Sequence, residues 1–295
     1  MNACVRYRRG IKGRIASLAR RALLRVSDGA AAVRVGETDL ILPLSHALPL
    51  YRADYKNYDT ALPRLVGTLS AGTASYVVLD IGANVGDTAK PLLDFPNVKV
   101  IAVEGNPKFC PFLDENLAGY PDRTYIIKAF VGAPDVGSGY AISTQHGTAS
   151  LVAADTSSSV PFVSIEDCMT AAHFGPIDFV KIDTDGFDIK IIRENMDFFT
   201  IRKPIIFFEF DLRFINQEKD WEIFNIFSNI GYDNCMIYLN TGEMLRTFKS
   251  NDEQAVAELR CFLRMAAPHR YVDVLISASM PEHVKCVNSE LKFAM

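Results

Sequence analysis

The residues with most chemical content stand where short apolar runs end. The run 76–81 leads into Asp80-Ile81-Gly82-Ala83-Asn84-Val85-Gly86-Asp87, and the run 99–104 ends on Glu104. The run 178–183 leads into Lys181-Ile182-Asp183-Thr184-Asp185-Gly186-Phe187-Asp188, and the run 204–210 carries Glu209 between two phenylalanines. Gly82 and Gly86 let the backbone approach a ligand and turn sharply. Their spacing is G-x-N-x-G, shorter than the G-x-G-x-x-G of a pyrophosphate cradle. Such a loop after Asp80 suits a ligand with an amino-acid tail and no phosphate. Asp80 could hold the ammonium of that tail, directly or through water; it also reads as the capping acid of a tight turn. Glu104, 22 positions after Gly82, can accept both hydroxyls of a ribose. Loop and acid together indicate a nucleoside-bearing cofactor.

Asp183, Asp185 and Asp188 place three carboxylates within six residues. Lys181 alternates with Asp183 along one strand, and either positions it or simply neutralises it. Asp188 reads as a helix cap or as a member of the site. Glu209 alternates with Phe208 and Phe210, so it faces the other side of the sheet or its rim. No HxE, HExxH or DxDxG pattern occurs, so no dedicated metal site is expected. The six cysteines are scattered, without CxxC or Cys/His clusters. Free thiols in a reducing cytosol are the expectation, not a disulfide scaffold.

Such strand ends need a sheet to hold them in line. From Tyr76 onward, apolar runs alternate with helical patterns. A third strand is predicted over 124–129, extra strands over 140–152 around Gly147, and a short extended piece at 160–163. Asn106-Pro107 supplies an N-cap and first-turn proline for a helix to about Leu117. Ser164 with Asp167 forms a capping arrangement for a helix through Ala172. Trp221, Phe224, Phe227 and Ile230 repeat at helical spacing, as do Val256, Leu259 and Leu263. Asn240-Thr241-Gly242 is a hairpin signal between 234–239 and 244–248, and 271–277 is a last strand. This alternation predicts an α/β fold: a mostly parallel sheet with helices on both faces and an antiparallel edge. Ligands bind such a sheet beyond the carboxyl ends of its strands.

The motifs DIGANVGD (80–87), VEGNP (103–107), GTASL (147–151), KIDTDGFD (181–188) and FFEF (207–210) occur in this order. In them the chain resembles the FkbM-type S-adenosylmethionine-dependent methyltransferases, over roughly 50–240. The segment 46–65 is similar to one that precedes this domain in some members. The resemblance implies a Rossmann-like, seven-stranded methyltransferase sheet with an antiparallel last strand. It implies S-adenosylmethionine as cofactor, held by Asp80, Gly82, Asn84, Gly86 and Glu104, with Ala83 inside the same loop. It also implies methyl transfer to a hydroxyl of a sugar, glycan or secondary metabolite. One departure is Asp185, where the family usually has Glu; the carboxylate is one methylene shorter. A hydroxyl acceptor must lose a proton, so a base is sought. Asp183 stands nearest the expected methyl position, as base or as orienter of the hydroxyl. His146 has the better intrinsic pKa and sits on the Gly147 turn; Asp185 would hold the acceptor. Two other readings use a similar sheet. A nicotinamide-dependent oxidoreductase would need a third glycine and a Ser/Tyr/Lys set, and a non-catalytic module would bind cofactor without turnover.

The chain has 295 residues, 49% of them apolar and 22% charged, with a net charge of −4. This is a globular composition without the basic character of a nucleic-acid binder. Residues 1–27 hold seven Arg and Lys12 with no acid; removing those eight charges from −4 leaves −12 for the remainder. A basic arm is therefore attached to an acidic body. One apolar helical face in that arm (Ile15, Leu18, Ala22, Val26) predicts an interfacial helix on an anionic membrane or an acidic partner; a solvated arm is the alternative. No run is long enough to span a bilayer and no secretory signal is evident, so a cytoplasmic location, with membrane association through the arm, is expected. The organisation expected is an arm at 1–27, a lead-in at 28–75, the methyltransferase domain at 76–280 and a tail at 281–295.

Overall fold

The computed structural model describes residues 20, 23–35, 37–132, 139–145, 148–154, 161–215, 218–265 and 271–295. Most of the basic arm, and His146 with Gly147, lie outside them. The strands in chain order are β1 (Ala30–Val35), β2 (Thr38–Pro43), β3 (Tyr76–Ile81), β4 (Val98–Val103), β5 (Thr124–Ile127), β6 (Phe130–Val131) and β7 (Gly139–Gln145). They continue with β8 (Thr148–Ala154), β9 (Phe162–Val163), β10 (Phe179–Ile182), β11 (Ile205–Phe210), β12 (Asn234–Leu239), β13 (Met244–Lys249) and β14 (Val272–Ser277).

Eight of these form one sheet in the order β13-β12-β14-β11-β10-β3-β4-β5. Strands β11, β10, β3, β4 and β5 are mutually parallel, and β14 runs antiparallel between β11 and β12. The eighth strand, one beyond the seven expected, is β13, which the Asn240-Thr241-Gly242 turn folds back against β12 as the outer edge. Strand β3 is buried along its whole length, as a central strand covered on both faces must be.

The two faces of the sheet carry separate cores. On one face Val180, Ile182, Ile206, Phe208 and Phe210 pack against Ile165, Ile192, Phe199, Phe224 and Leu259. On the other, Val78, Val100, Phe207 and Leu275 pack against Leu65, Leu69, Leu92, Leu113 and Cys286. The second face is covered by helices Ala61–Ser70, Ala89–Leu92, Cys110–Leu117 and Met280–Ala294. The last of these is formed by the segment set apart above as a tail. Arg64 and the buried Glu290 pair at 2.9 Å and fasten it to helix Ala61–Ser70.

Local signals act as expected in one place and differently in another. Ser164 and Asp167 form a reciprocal capping box on helix Ile165–Ala172. Asn106 does not cap its helix, which begins only at Cys110 after Phe109. Its side chain instead accepts from the Lys108 amide at 3.0 Å, closing the turn that precedes the helix. Strands β7 and β8 pair antiparallel across 146–147, and β6 pairs parallel with β9. The lead-in contributes the β1–β2 hairpin, whose Leu40 and Leu42 pack on Val85 and Phe109 beside the glycine loop.

Candidate active site

The glycine loop leaves β3 through three left-handed residues, Gly82 (φ 80°), Asn84 (φ 51°) and Gly86 (φ 84°). Gly82 and Ala83 donate their amides to the Val103 carbonyl, both at 3.0 Å, which fastens the loop to the end of β4. A Cβ on Gly82 would stand 1.9 Å from the Asp183 carbonyl oxygen. Only glycine lets the loops after β3 and β10 meet this closely.

Glu104 follows β4 and is buried. One carboxylate oxygen accepts from the Asn84 amide at 2.8 Å and the other from the Asn106 amide at 2.6 Å. Burial pushes its pKa up, and the two amides oppose that shift. Each oxygen keeps a further lone pair for a ligand hydroxyl.

Asp80 is fully buried beneath the loop. Lys181 lies beside it on β10 in register, with Nζ 3.1 Å from Asp80 Oδ1 and 3.5 Å from Asp183 Oδ2. Nζ also donates to the Gly82 carbonyl at 3.0 Å. The closer partner of Lys181 is thus Asp80, not Asp183. Burial lowers the Lys181 pKa, but the charges of Asp80 and Asp183 more than offset it, so the ammonium persists. The ion pair leaves both Asp80 oxygens without a well-aligned hydrogen bond. Buried acceptors of this kind suit an ammonium group.

Asp183, Thr184 and Asp185 form the opposite lip. Asp183 follows β10 with its side chain 52% exposed. Asp188 is the first residue of helix Asp188–Glu194 rather than its cap. Its carboxylate accepts from the Thr184 amide (3.3 Å), the Thr184 hydroxyl (3.1 Å) and the Gly186 amide (3.3 Å), and so pins this lip. Burial, followed by the charge of Asp183, pushes its pKa up to about 7.

Between the lips lies a cleft partly open to solvent. Of the candidates named from sequence, Gly82, Asn84, Glu104, Asp183 and Asp185 line it. Asp80 lies below it, Ala83 and Gly86 hold the loop from behind, and His146 lies outside the described residues. Four further residues are not among the site candidates read from the sequence. Phe130 and Phe162, with ring centroids 5.8 Å apart, form an aromatic wall where β6 meets β9. Phe187 supplies another apolar surface. His46, from the lead-in, accepts the Leu48 amide at Nδ1 (3.2 Å), so Nε2 carries the proton and donates to Asn84 Oδ1 at 3.3 Å. The lead-in thereby reaches the glycine loop directly. Among the described residues no group of three or more His, Cys, Asp or Glu could hold a metal ion, and no helix is long and apolar enough to cross a membrane.

This arrangement joins a backbone loop, a ribose-compatible acid, an aromatic wall and a carboxylate facing the opening. Solved structures similar to the chain include the METTL16 MTase domain, at 11% identity and TM-score 0.46, covering 88% of this chain and 78% of that one. TYW2 of P. horikoshii in complex with MeSAdo aligns at 13% identity and TM-score 0.40, covering 90% and 83%. Magnesium protoporphyrin IX methyltransferase (ChlM) of Synechocystis PCC 6803 with bound SAM aligns at 11% and 0.41, covering 75% and 79%. No curated protein matches the chain. The family model of the methyltransferase FkbM domain matches residues 80–252. That span opens on Asp80 and takes in the glycine loop, Glu104, the Asp183–Asp188 lip and Glu209. The chain belongs to the FkbM methyltransferase family.

Proposed function

We propose that the protein transfers a methyl group from S-adenosylmethionine to a hydroxyl of a small-molecule or glycan acceptor. The observation that carries this reading is Glu104. Its carboxylate is fixed by two loop amides while it lines a cleft with an aromatic wall. Asp80, paired with Lys181 through Oδ1, has its Oδ2 left for the ammonium of an amino-acid tail, directly or through water, and Glu104 suits a ribose. S-adenosylmethionine, when bound, supplies an activated methyl group on a sulfonium sulfur. This chain's residues must then bind, align and deprotonate.

In this reading the Gly82–Gly86 backbone and Glu104 hold the nucleoside, and Phe130 and Phe162 shield its base from water. Alignment of the acceptor oxygen supplies much of the rate. Asp183 takes the hydroxyl proton or orients the hydroxyl, and Lys181 holds it in place from 3.5 Å. Asp185 holds the acceptor, and His146 is the second candidate for base. In the test, S-adenosylhomocysteine binding is measured by calorimetry and methyl transfer with labelled cofactor. Asp183→Asn should bind S-adenosylhomocysteine normally and lose about a hundredfold in turnover, the scale of a general base. Near-normal turnover, with loss in His146→Ala instead, would reverse the assignment. Tight binding of a nicotinamide dinucleotide without S-adenosylhomocysteine binding would refute the methyltransferase reading.

A further inference from the structure

Register brings together three carboxylates that lie far apart in sequence. Lys181 is aligned with Phe207 and Ile182 with Phe208, so Asp183, next along, stands beside Glu209. Glu209 is in turn aligned with Asp273 across β11 and β14. All three project to the face that carries Phe207 and Leu275. Neighbouring strands are about 4.8 Å apart, so Asp183, Glu209 and Asp273 form one row at the sheet's carboxyl edge. Like charges directly opposite one another on a sheet are destabilising.

Among the described residues the nearest cations act on Glu209 and Asp273 only at longer range. Lys181 pairs with Asp80 and Asp183, and of the row's other two acids its charge also acts on Asp273. Arg213 forms its ion pair with Asp211, Nε lying 2.6 Å from the carboxylate; its guanidinium stands 6.0 Å from the centroid of the Tyr271 ring, and the charge of Glu209 acts on it without a salt bridge. Among the described residues no ion pair reaches Glu209 or Asp273. Glu209 is 8% exposed, its Oε2 has no hydrogen-bond partner, and it lines a cleft adjoining the cofactor cleft through Lys190 and Glu194. Tyr271 and, from the lead-in, Tyr58 lie near the row, where the charges of Glu209 and Asp273 act on Tyr271 and that of Asp183 on Tyr58, with the two hydroxyls 3.3 Å apart. Asp59, next to Tyr58, is a further acid whose charge, with that of Asp183, acts on Asp273.

We propose that this row recognises a protonated amine on the methyl acceptor. Carboxylates flanked by tyrosine rings are a favourable setting for an ammonium group. A metal ion would need the oxygens to converge, and no such cluster is present among the described residues. The amino group of the methyl donor does not account for the row either. Asp80 lies on β3, whereas Glu209 and Asp273 lie two and three strands away, roughly 10 and 14 Å across the sheet. The row therefore selects the other reactant. Burial and the neighbouring acids hold the pKa of Glu209 and of Asp273 well up, so an arriving ammonium restores their ionised forms.

The inference rests on the methyltransferase reading, and the experiment separates the two. The full chain is saturated with S-adenosylhomocysteine and titrated calorimetrically with spermidine as the cationic probe. Glu209→Gln, Asp273→Asn and the exposed control Glu37→Gln are run alongside. One spermidine site is expected, weakened about tenfold or more in the first two variants and unchanged in Glu37→Gln. Retained S-adenosylhomocysteine binding in the same samples shows that the variants are folded. Absence of spermidine binding to the wild type, or equal binding to all four proteins, overturns the amine site. Failure of the wild type to bind S-adenosylhomocysteine strikes the donor reading instead, and the spermidine comparison still reports on the row. With labelled cofactor and a cell extract, label on products other than residual S-adenosylmethionine that a cation exchanger retains at neutral pH supports the inference. Label only on products that pass through it overturns the inference.

Discussion

Replacing Glu104 should separate loop pinning from cofactor recognition. In Glu104→Gln the side-chain oxygen keeps one of the two amides, Asn84 (2.8 Å) or Asn106 (2.6 Å), and the new NH₂ confronts the other. One hydrogen bond to a charged acceptor is lost, about 1.5–3 kcal/mol. Burial already works against the charged form of Glu104, so a neutral amide recovers part of that, leaving a net loss of about 1–2 kcal/mol. Glu104→Ala strands both amides and should cost about 3 kcal/mol. A ribose diol would lose its charged acceptor in both variants, weakening S-adenosylhomocysteine by about 10- to 100-fold. Urea unfolding gives the first quantity and calorimetry the second. Glu104→Gln with a shifted urea midpoint but wild-type affinity would remove the ribose role and leave only the pin. An unmoved midpoint would remove the pin as well.

Gly82→Ala places a Cβ 1.9 Å from the Asp183 carbonyl at a residue with φ 80°; it should abolish measurable S-adenosylhomocysteine binding and lower the urea midpoint, and a variant that binds normally contradicts the close approach of the two loops. Asp188 holds its proton to about pH 7 in the folded protein, against an unfolded value of 3.8. Its folded pKa is raised, so stability from this group is full below about pH 4 and falls as pH rises to about 7, by up to ~4 kcal/mol; thermal melts should show Asp188→Asn flattening that fall. His46→Ala removes the Nε2 bond to Asn84 and should weaken S-adenosylhomocysteine by a few-fold, about 0.5–1.5 kcal/mol, read by calorimetry with an unchanged urea slope.

What a single stretch of chain determines could be read from sequence, and what register determines could not. The ends of β3, β4 and β10 are visible because each apolar run stops at an acid or a glycine. The Ser164–Asp167 box and the Asn240-Thr241-Gly242 hairpin are equally local. Along one strand Lys181 has Asp183 as its evident partner, yet β3 places Asp80 closer across the sheet. Likewise nothing near Phe208-Glu209-Phe210 signals Asp273, because their pairing depends on β14 entering antiparallel beside β11. Phe130 and Phe162 escape notice because each sits in a strand of only two residues. The lead-in's approach to Asn84 is tertiary and leaves no periodicity.

The two sides of the sheet's carboxyl edge treat their charges differently, as the donor and amine-acceptor roles proposed for them require. On the donor side Asp80 has a lysine at 3.1 Å and Glu104 has two amides, so that half stands assembled before any ligand arrives. On the side proposed for the acceptor, Glu209 and Asp273 face each other in register, and among the described residues no salt bridge reaches either. Burying such a pair unpartnered costs folding free energy, and the helices and second core of that face must offset the cost. A neutral pair at those positions would pack with less strain but would give an incoming amine nothing to bind. Stability and recognition therefore pull in opposite directions at Glu209 and Asp273. A substitution there that raises the unfolding temperature while lowering affinity for a cationic probe is the signature of a charge kept for a ligand rather than for the fold.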